Sequence, residues 1–258
     1  MRTISSLPDK EFNESFIRDY SKFKHGSKTI ARQFGKVIAE ICDFPADSKL
    51  IFYSAPHNNI HTASNAFKDY LLSYCADQFL TKNISVRQGK IDRKYSYDND
   101  YGMMSAEQRR AAISSDIFHI DKHFIEPDDV LVFVDDIKIT GSHENRIIEL
   151  LEREQIKNEV IFIYIAVYTG NDPTIENVLN HKYISTLRDI NDIIRNDEFI
   201  FNTRVAKFIL KSDIESFVSF ITYQSQTFKE TLYALSVLNG YHINDQYKIN
   251  FGLLKNLI

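Results

Sequence analysis

Two adjacent carboxylates, followed closely by a Thr-Gly-Ser turn, are the residues of this chain best suited to chemistry. Residues 130–134 form an apolar run short enough for a buried strand, and Asp135 and Asp136 follow it directly. Residues 140–142, Thr-Gly-Ser, stand at the start of a helical pattern. Ligands of open α/β sheets bind outside the carboxyl ends of strands, and a small-residue turn at a helix start offers backbone N–H groups to an anion. One loop would therefore hold a polyol by its hydroxyls and a phosphate by its oxygens, as a phosphorylated ribose requires.

Residues 130–142 resemble the signature that binds PRPP (5-phosphoribosyl 1-pyrophosphate) in type I phosphoribosyltransferases: an apolar strand, two acids, three variable residues, then Thr-Gly. The resemblance implies that Asp135 and Asp136 are the catalytic acids and accept hydrogen bonds from the ribose 2′- and 3′-hydroxyls. It implies Mg²⁺ as the cofactor, bound through the PRPP phosphates and the same two carboxylates, with no dedicated metal cage. It also implies that the following loop wraps the 5′-phosphate. The residues of this loop are Ile137, Lys138, Ile139, Thr140, Gly141 and Ser142.

Two positions depart from the family pattern. Ile139 stands where many members carry Thr and where purine-salvage members carry an acid that assists the base, so no catalytic acid is carried over to it. His143 stands where a second phosphate-binding Thr is common, which leaves it as a substitute phosphate donor or a surface residue at the helix start. Lys138 either adds a cation near the phosphate or is solvated. A purely structural turn is the alternative for the segment as a whole.

A second strand that ends in a polar loop lies earlier in the chain. Residues 49–55 have the apolar pattern of a buried strand, and a helix is predicted from about 62 to 80. The resemblance implies that the loop between them binds pyrophosphate through backbone amides. Its candidate residues are Pro56, His57, Asn58 and Asn59. The alternative is an ordinary strand-to-helix turn with a capping Asn.

Basic residues follow in a part of the sequence without periodicity. Residues 89–102 are polar and aromatic and predict a long surface loop of a kind that is often functional, and residues 103–114 predict a helix. Arg93 and Arg109 are predicted to contact pyrophosphate, because a leaving pyrophosphate needs cationic stabilisation. The alternative for each arginine is a solvated place on the surface.

The periodicity of the remaining sequence predicts the elements that position these loops. Residues 10–42 predict two helices with a break at His25-Gly26, and residues 157–169 predict a central parallel strand after a helix at 141–155. Strand, helix and strand at this spacing form a right-handed βαβ unit. The prediction is an α/β fold: a type I phosphoribosyltransferase-like, Rossmann-like parallel sheet flanked by helices, with N-terminal helices and a helical C-terminal extension.

The extension begins at residue 187. Residues 187–258 have helical spacing, and residues 1–186 are predicted to form the phosphoribosyltransferase-like core. Two roles are open for the extension: a hood that encloses the acceptor, or a contact between copies in a homodimer. Just before it, Tyr168, Thr169 and Asn171 are candidate contacts for the acceptor.

Composition argues against several other classes of protein. The chain of 258 residues carries a formal net charge of −4, which argues against bulk binding to nucleic acid. Its two cysteines, Cys42 and Cys75, lack metal-type spacing and predict buried residues in a reducing cytosol. No apolar stretch reaches the ~18 residues needed to span a bilayer, and no signal-peptide pattern opens the sequence. The predicted location is therefore cytoplasmic, with no membrane partner.

Three functional hypotheses follow from these residues. The first is a phosphoribosyltransferase, a glycosyltransferase of pentosyl groups, which moves the phosphoribosyl group of PRPP to an unidentified base or small metabolite and releases pyrophosphate. Residues 136–144 also resemble the ComF-like branch found in tellurium-resistance and stress gene clusters. The second is a non-catalytic sensor of PRPP or a nucleotide, motivated by the missing acid at Ile139. The third is an interaction protein that binds a partner through residues 187–258, whose removal would then spare PRPP binding.

Overall fold

A five-stranded parallel sheet forms the centre of the protein. The computed structural model describes residues 1–9, 12–94, 117–172 and 174–258. The strands are β1 Arg2–Asp9, β2 Lys49–Ser54, β3 Ser85–Gln88, β4 Ile91–Lys94, β5 Ile117–Ile120, β6 Asp129–Lys138 and β7 Glu159–Tyr168. Five of them lie in the order β1-β7-β6-β2-β3, and all neighbours in this sheet are parallel. The predicted parallel α/β sheet is confirmed.

The central strand, β6, is longer than the apolar run that predicted it. It begins at Asp129 and continues through both acids to Lys138. It pairs with β2 on one side and with β7 on the other. Because parallel strands end at the same edge of a sheet, Asp135 and Asp136 lie at the edge from which the loop after β2 also leaves.

β1 is a strand that the sequence pattern did not predict. Its sequence, RTISSLPD, has few apolar residues and includes Pro8, so it lacks the signature of a strand. It pairs in parallel with β7, from Arg2↔Ile161 to Asp9↔Tyr168, and forms one edge of the sheet. An edge position tolerates proline, because one side of an edge strand needs no N–H donor. Pairing with β7, rather than a pattern of its own, therefore gives this segment its extended conformation.

Helices cover both faces of the sheet. They are α1 Glu14–Lys24, α2 Lys28–Ile41, α3 Ala63–Tyr74, α4 Ala76–Thr81, α5 Ser142–Arg153 and α6 Ile175–His181. On one face, α1, α2, α3 and α6 share a core with Val132 of β6. On the other face, α5 shares a core with the neighbouring residue, Leu131. Alternation along β6 thus sends successive side chains into two separate cores.

The ends of the helices agree with the prediction in part. The break at His25-Gly26 is confirmed, since Gly26 has φ +94° and the side chain of Ser27 caps α2 by accepting the N–H of Ile30 at 3.2 Å. The single helix predicted from 62 to 80 is wrong, because the chain turns out of helical geometry at Cys75, whose ψ is −1°, and α3 and α4 are separate.

An antiparallel ribbon replaces part of the predicted surface loop. β4 pairs with β5 from Ile91↔Ile120 to Lys94↔Ile117. Ile91 and Ile120 are buried in the core beneath α5. The loop predicted for residues 89–102 is therefore wrong for residues 91–94, because an isoleucine in this polar stretch anchors a strand. The helix predicted at 103–114, with Arg109, lies outside the described residues.

Residues 187–258, which we call the hood, are helical as predicted. The helices are α7 Leu187–Asn196, α8 Thr203–Lys211, α9 Ile214–Thr222, α10 Gln226–Leu238 and α11 Lys248–Lys255. They enclose their own core around Ile209 and Phe217, and Ile60 from the loop after β2 belongs to that core. Gly240, with φ +73°, follows α10 in the left-handed conformation that is common just after a helix end. The hood is therefore packed onto the loop of the candidate site.

Two smaller expectations concern cysteines and membranes. Cys42 and Cys75 are both buried, as predicted, at the ends of α2 and α3. Within the described ranges, none of the helices combines the length and the hydropathy needed to cross a membrane.

Candidate functional site

An open cleft lies at the carboxyl edge of the sheet, between the ends of β2 and β6 and the first turns of α5. Its empty volume, including the mouth, is about 280 Å³. Small-molecule sites usually measure ~300–1,000 Å³, so the cleft is narrow. The residues that line it are Ser54, Ala55, Pro56, Phe133, Val134, Asp135, His143, Glu144, Ile147, Phe162 and Tyr164. The structure thus brings together members of both predicted loops, Pro56 and Asp135.

The two acids of the signature have different surroundings. Asp135 lines the cleft, and its Oδ2 lies 3.2 Å from Nδ1 of His143. Asp136 accepts a hydrogen bond from the hydroxyl of Tyr20 at 3.0 Å and forms an ion pair with Lys24, both from α1. The side chains of Asp135 and Asp136 are 17% and 13% exposed. The acids are therefore neighbours in sequence but meet different elements.

Asp136 remains ionised in spite of its burial. Burial raises the pKa of this carboxyl group, but the charge and hydrogen bond of Lys24, the N–H of Ile137 and the hydroxyl of Tyr20 outweigh it, so the pKa is lowered. The N–H of Ile137 donates to Oδ1 of Asp136 at 2.8 Å. The pKa of Tyr20 is raised, first by burial and then by the charge of Asp136. Tyr20 is therefore a permanent donor to this carboxylate.

His143 is the exposed partner of Asp135. Its side chain is 66% exposed and lies in the first turn of α5. Its pKa is raised, chiefly by the hydrogen bond to Asp135, although water weakens such an effect at an exposed ring. The charge of Arg93 opposes the rise, which places this predicted pyrophosphate ligand within electrostatic range of His143.

The predicted 5′-phosphate loop joins the end of β6 to α5. Gly141 has φ +72°, a left-handed conformation that glycine adopts without strain, and its carbonyl accepts the first helical bond from Asn145 at 2.9 Å. The hydroxyls of Thr140 and Ser142 are exposed and lie 2.7 Å apart. Because the first N–H groups of a helix have no partner within it, this turn is suited to an anion.

Lys138 and the isoleucines of this loop face protein rather than solvent. Nζ of Lys138 lies 2.8 Å from both carboxylate oxygens of Glu144, and Tyr164 donates to Glu144 at 2.8 Å. This buried carboxylate therefore already balances the charge of Lys138. Ile137 is buried and Ile139 half-buried in the core beneath α1 and α2. Their contribution to phosphate binding would come from the backbone.

The predicted pyrophosphate loop is tied to the β4–β5 ribbon through His57. The N–H of His57 donates to the carbonyl of Ile91 at 3.2 Å, and its own carbonyl accepts the N–H of Arg93 at 3.3 Å. Its ring is buried, which lowers its pKa, and Nδ1 donates to the carbonyl of Ala55 at 3.1 Å. A neutral ring that donates from Nδ1 presents an acceptor at Nε2. In this arrangement the side chain of His57 has no donor for an anion.

The other end of this loop is bonded to the hood. The N–H groups of Asn59 and Ile60 donate to Oδ1 of Asn239 at 3.1 and 3.3 Å, and the side chain of Asn59 donates to the carbonyl of Leu238. Asn58, between the two anchored parts, is half-exposed in a bend. Several of the amides expected to meet pyrophosphate thus already have acceptors, and the pyrophosphate role of the loop stays a prediction.

The sequence pattern of the protein family described as PRTase ComF-like matches residues 5–254. The chain belongs to the ComF-like phosphoribosyltransferase family. The match includes the hood as well as the core, so both belong to the pattern of this family. Comparison with curated proteins finds no match.

In this ComF-like phosphoribosyltransferase, sequence reasoning missed the groups that surround Asp136. Tyr20 and Lys24 lie four residues apart, on one face of α1. Arg204 of α8 acts on the pKa of Tyr20 through its charge, which brings the hood near the same cluster. A tyrosine and a lysine on the apolar face of a helix were the available signal.

The predicted acceptor contacts of this ComF-like protein lie at the end of β7. Tyr168 is buried, and its hydroxyl accepts the N–H of Asp172 at 3.1 Å. Thr169 and Asn171 are exposed beside it. Tyr168 therefore has a structural contact, and a role for these residues toward the acceptor stays a prediction.

Proposed function

We propose that this protein transfers the 5-phosphoribosyl group of PRPP to a base or another small metabolite and releases pyrophosphate. The observation that carries the proposal is the position of Asp135, which lies in one cleft with Pro56 of the loop after β2 and beside the first turn of α5. The ComF-like family match agrees with this chemistry.

The transfer breaks the bond between C1 of the ribose and an oxygen of pyrophosphate, which leaves, and forms a bond between C1 and the acceptor; it passes through an oxocarbenium-like state, as glycoside chemistry does. Asp135 accepts hydrogen bonds from ribose hydroxyls. The turn Thr140–Ser142 holds the 5′-phosphate by backbone N–H groups and hydroxyls. Arg93, whose charge acts on His143, offers a cation to the pyrophosphate. The proposed roles of the chain are thus to fix the sugar and to stabilise the leaving group.

Magnesium fits this set of residues. The ion usually takes one or two carboxylates together with substrate phosphates, and Asp135 supplies a partly exposed carboxylate at the cleft. Bound with PRPP, Mg²⁺ supplies charge neutralisation for the pyrophosphate.

Calorimetric titration with PRPP and Mg²⁺ tests the proposal. The parent protein should bind, and Asp135→Asn should bind about 10- to 150-fold more weakly, because hydrogen bonds to a charged group contribute about 1.5–3 kcal/mol. Asp128→Asn is the matched control, since this exposed acid precedes β6 at the opposite edge of the sheet. A parent that does not bind PRPP, or equal binding by Asp135→Asn and the control, would refute the proposal.

A second function, a sensor that binds PRPP without turnover, is favoured by Ile139. This residue is half-buried against the core, so its position offers no acid to assist an acceptor. The sensor hypothesis predicts PRPP binding without release of pyrophosphate across a broad panel of bases and small nitrogen nucleophiles. Pyrophosphate release with any acceptor in that panel decides for the transferase.

A further inference from the structure

The two acids of the signature point to opposite faces of the sheet. Successive residues of a strand alternate between faces, and β6 keeps this alternation up to the acids. Leu131 and Phe133 lie in the core on the cleft side, and Asp135 follows them into the cleft. Val132 and Val134 lie in the core on the side of α1, and Asp136 follows them to Tyr20 and Lys24. Asp135 therefore lines the cleft, whereas Asp136 is not among the residues that line it.

The carboxylate of Asp136 is already occupied by protein donors. It accepts from the hydroxyl of Tyr20 at 3.0 Å and from the N–H of Ile137 at 2.8 Å, and it forms the ion pair with Lys24. The backbone carbonyl of Lys24 in turn accepts the side-chain amide of Asn202, in the hood, at 3.1 Å. With these three donors in place, at most one of the roughly four lone-pair positions of the carboxylate is left, on the side of α1.

The carboxylate of Asp135 keeps capacity for a ligand. Its Oδ1 accepts the N–H of Asp136 at 2.8 Å, and its Oδ2 meets Nδ1 of His143 at 3.2 Å. A carboxylate has about four lone-pair positions, so at least two remain. Since the carboxylate only accepts, Nδ1 of His143 donates, and Nε2 of the exposed ring is available to a hydroxyl. Both side chains line the same cleft.

We propose that Asp135 and His143 together bind the ribose diol, and that Asp136 is an anchor for α1 that does not touch the sugar. This assignment rests on the proposed function, because the diol is that of PRPP. A sugar hydroxyl both donates and accepts, so one hydroxyl pairs with the carboxylate of Asp135 and its neighbour with Nε2 of His143, which accepts in the neutral ring and donates in the charged one. His143 then acts as a ribose contact that helps to select the sugar, rather than as a phosphate donor.

Calorimetric titration with PRPP and Mg²⁺ of matched variants tests this assignment. Asp135→Asn and His143→Ala should each bind PRPP at least about 10-fold more weakly than the parent, and His143→Gln should recover part of the loss because an amide also forms hydrogen bonds. The double variant Asp136→Asn with Lys24→Met should bind within about twofold of the parent. It leaves no buried charge without a partner, and the amide oxygen of Asn still accepts from Tyr20 and Ile137, so this variant is expected to fold.

Urea denaturation of the same proteins tests the anchor separately. Asp136→Asn alone should lower the unfolding midpoint, and the double variant should restore it, while Asp135→Asn should leave it unchanged. The assignment is overturned if the double variant loses PRPP as Asp135→Asn does, or if His143→Ala binds like the parent. A parent that does not bind PRPP refutes the proposed function and the diol contact together, whereas the denaturation midpoints still decide whether Asp136 is an anchor.

Discussion

Asn239 fixes one end of the loop after β2. Replacing it should measurably speed the hydrogen exchange of two backbone amides. Its Oδ1 accepts the N–H groups of Asn59 at 3.1 Å and Ile60 at 3.3 Å. Asn239→Ala removes both acceptors at once and leaves the backbone at the end of α10 unchanged. We therefore expect the loop to open locally more often, with little change elsewhere.

The magnitude follows from the two hydrogen bonds. Each contributes about 0.5–1.5 kcal/mol net, so the loss of both predicts about 1–3 kcal/mol. Since 1.4 kcal/mol is a factor of ten, the amide hydrogens of Asn59 and Ile60 should exchange about 5- to 140-fold faster. Asn59 is exposed, so water replaces part of the lost bonding and the lower half of this range is expected.

Hydrogen exchange followed by NMR measures this effect residue by residue. Asn256→Ala is the control, because Asn256 also ends a hood helix and is exposed. Asn239→Asp keeps an acceptor and should preserve most of the protection. Unchanged exchange of both amides in Asn239→Ala, or the same acceleration in the control, would show that the hood does not hold this loop.

Three further predictions concern stability. Gly26→Ala should lower stability by about 1–3 kcal/mol in thermal unfolding, because φ is +94° and the new Cβ would lie 2.5 Å from the carbonyl of Ile200. Glu144→Gln should cost about 1–3 kcal/mol in the same assay, because it leaves Lys138 without its balancing charge, whereas the exposed control Glu149→Gln should cost little. Burial lowers the pKa of His25 from 6.5 to about 3. Below pH 6.5 the folded state thus binds fewer protons than the unfolded state. The free energy of unfolding is therefore highest above pH 6.5 and falls by about 2 kcal/mol by pH 5. Urea titrations of His25→Gln should no longer show this dependence on pH.

The sequence was most informative where one short segment has both a clear hydrophobic pattern and side chains that can bind a ligand. The apolar run 130–134 and the two acids after it predicted a strand that ends at a ligand-binding edge, and β6 has that place. The helical break at His25-Gly26 was also predictable, because glycine and a capping serine follow one another there. These features depend on neighbours within a few residues, which a single sequence displays directly.

Features that depend on distant partners were not predictable in the same way. β1 is extended because β7 lies beside it, and Asp136 turns away from the cleft side because Tyr20 and Lys24 lie opposite. The strand at residues 91–94 depends on the burial of Ile91. Because the residues around Ile91 are polar, the sequence pattern does not predict this burial. No local pattern predicts such pairings, so the sequence alone predicted the same role for Asp135 and Asp136.

The hood also bears on how the interaction hypothesis can be tested. Removing residues 187–258 would take away Asn202 and Asn239, which bond to α1 and to the loop after β2, and would expose Ile60. A truncated chain is therefore expected to lose PRPP binding along with any partner. Point variants on the exposed side of the hood, such as Tyr223→Ser, separate the two effects, because this side chain is 82% exposed.

Because β1 pairs with β7, this edge of the sheet cannot form until β7 has been synthesised. Arg2 meets Ile161, a partner 159 positions later in the chain (161 minus 2). At a synthesis rate of ~5–20 residues per second, Arg2 is synthesised roughly 8–32 s before that partner, and β1 stays unpaired during this time. An unpaired strand that is exposed for this time can pair with other chains and cause aggregation. A polar segment that contains a proline forms such pairs poorly. The sequence RTISSLPD thus suits a strand that is translated early and paired late.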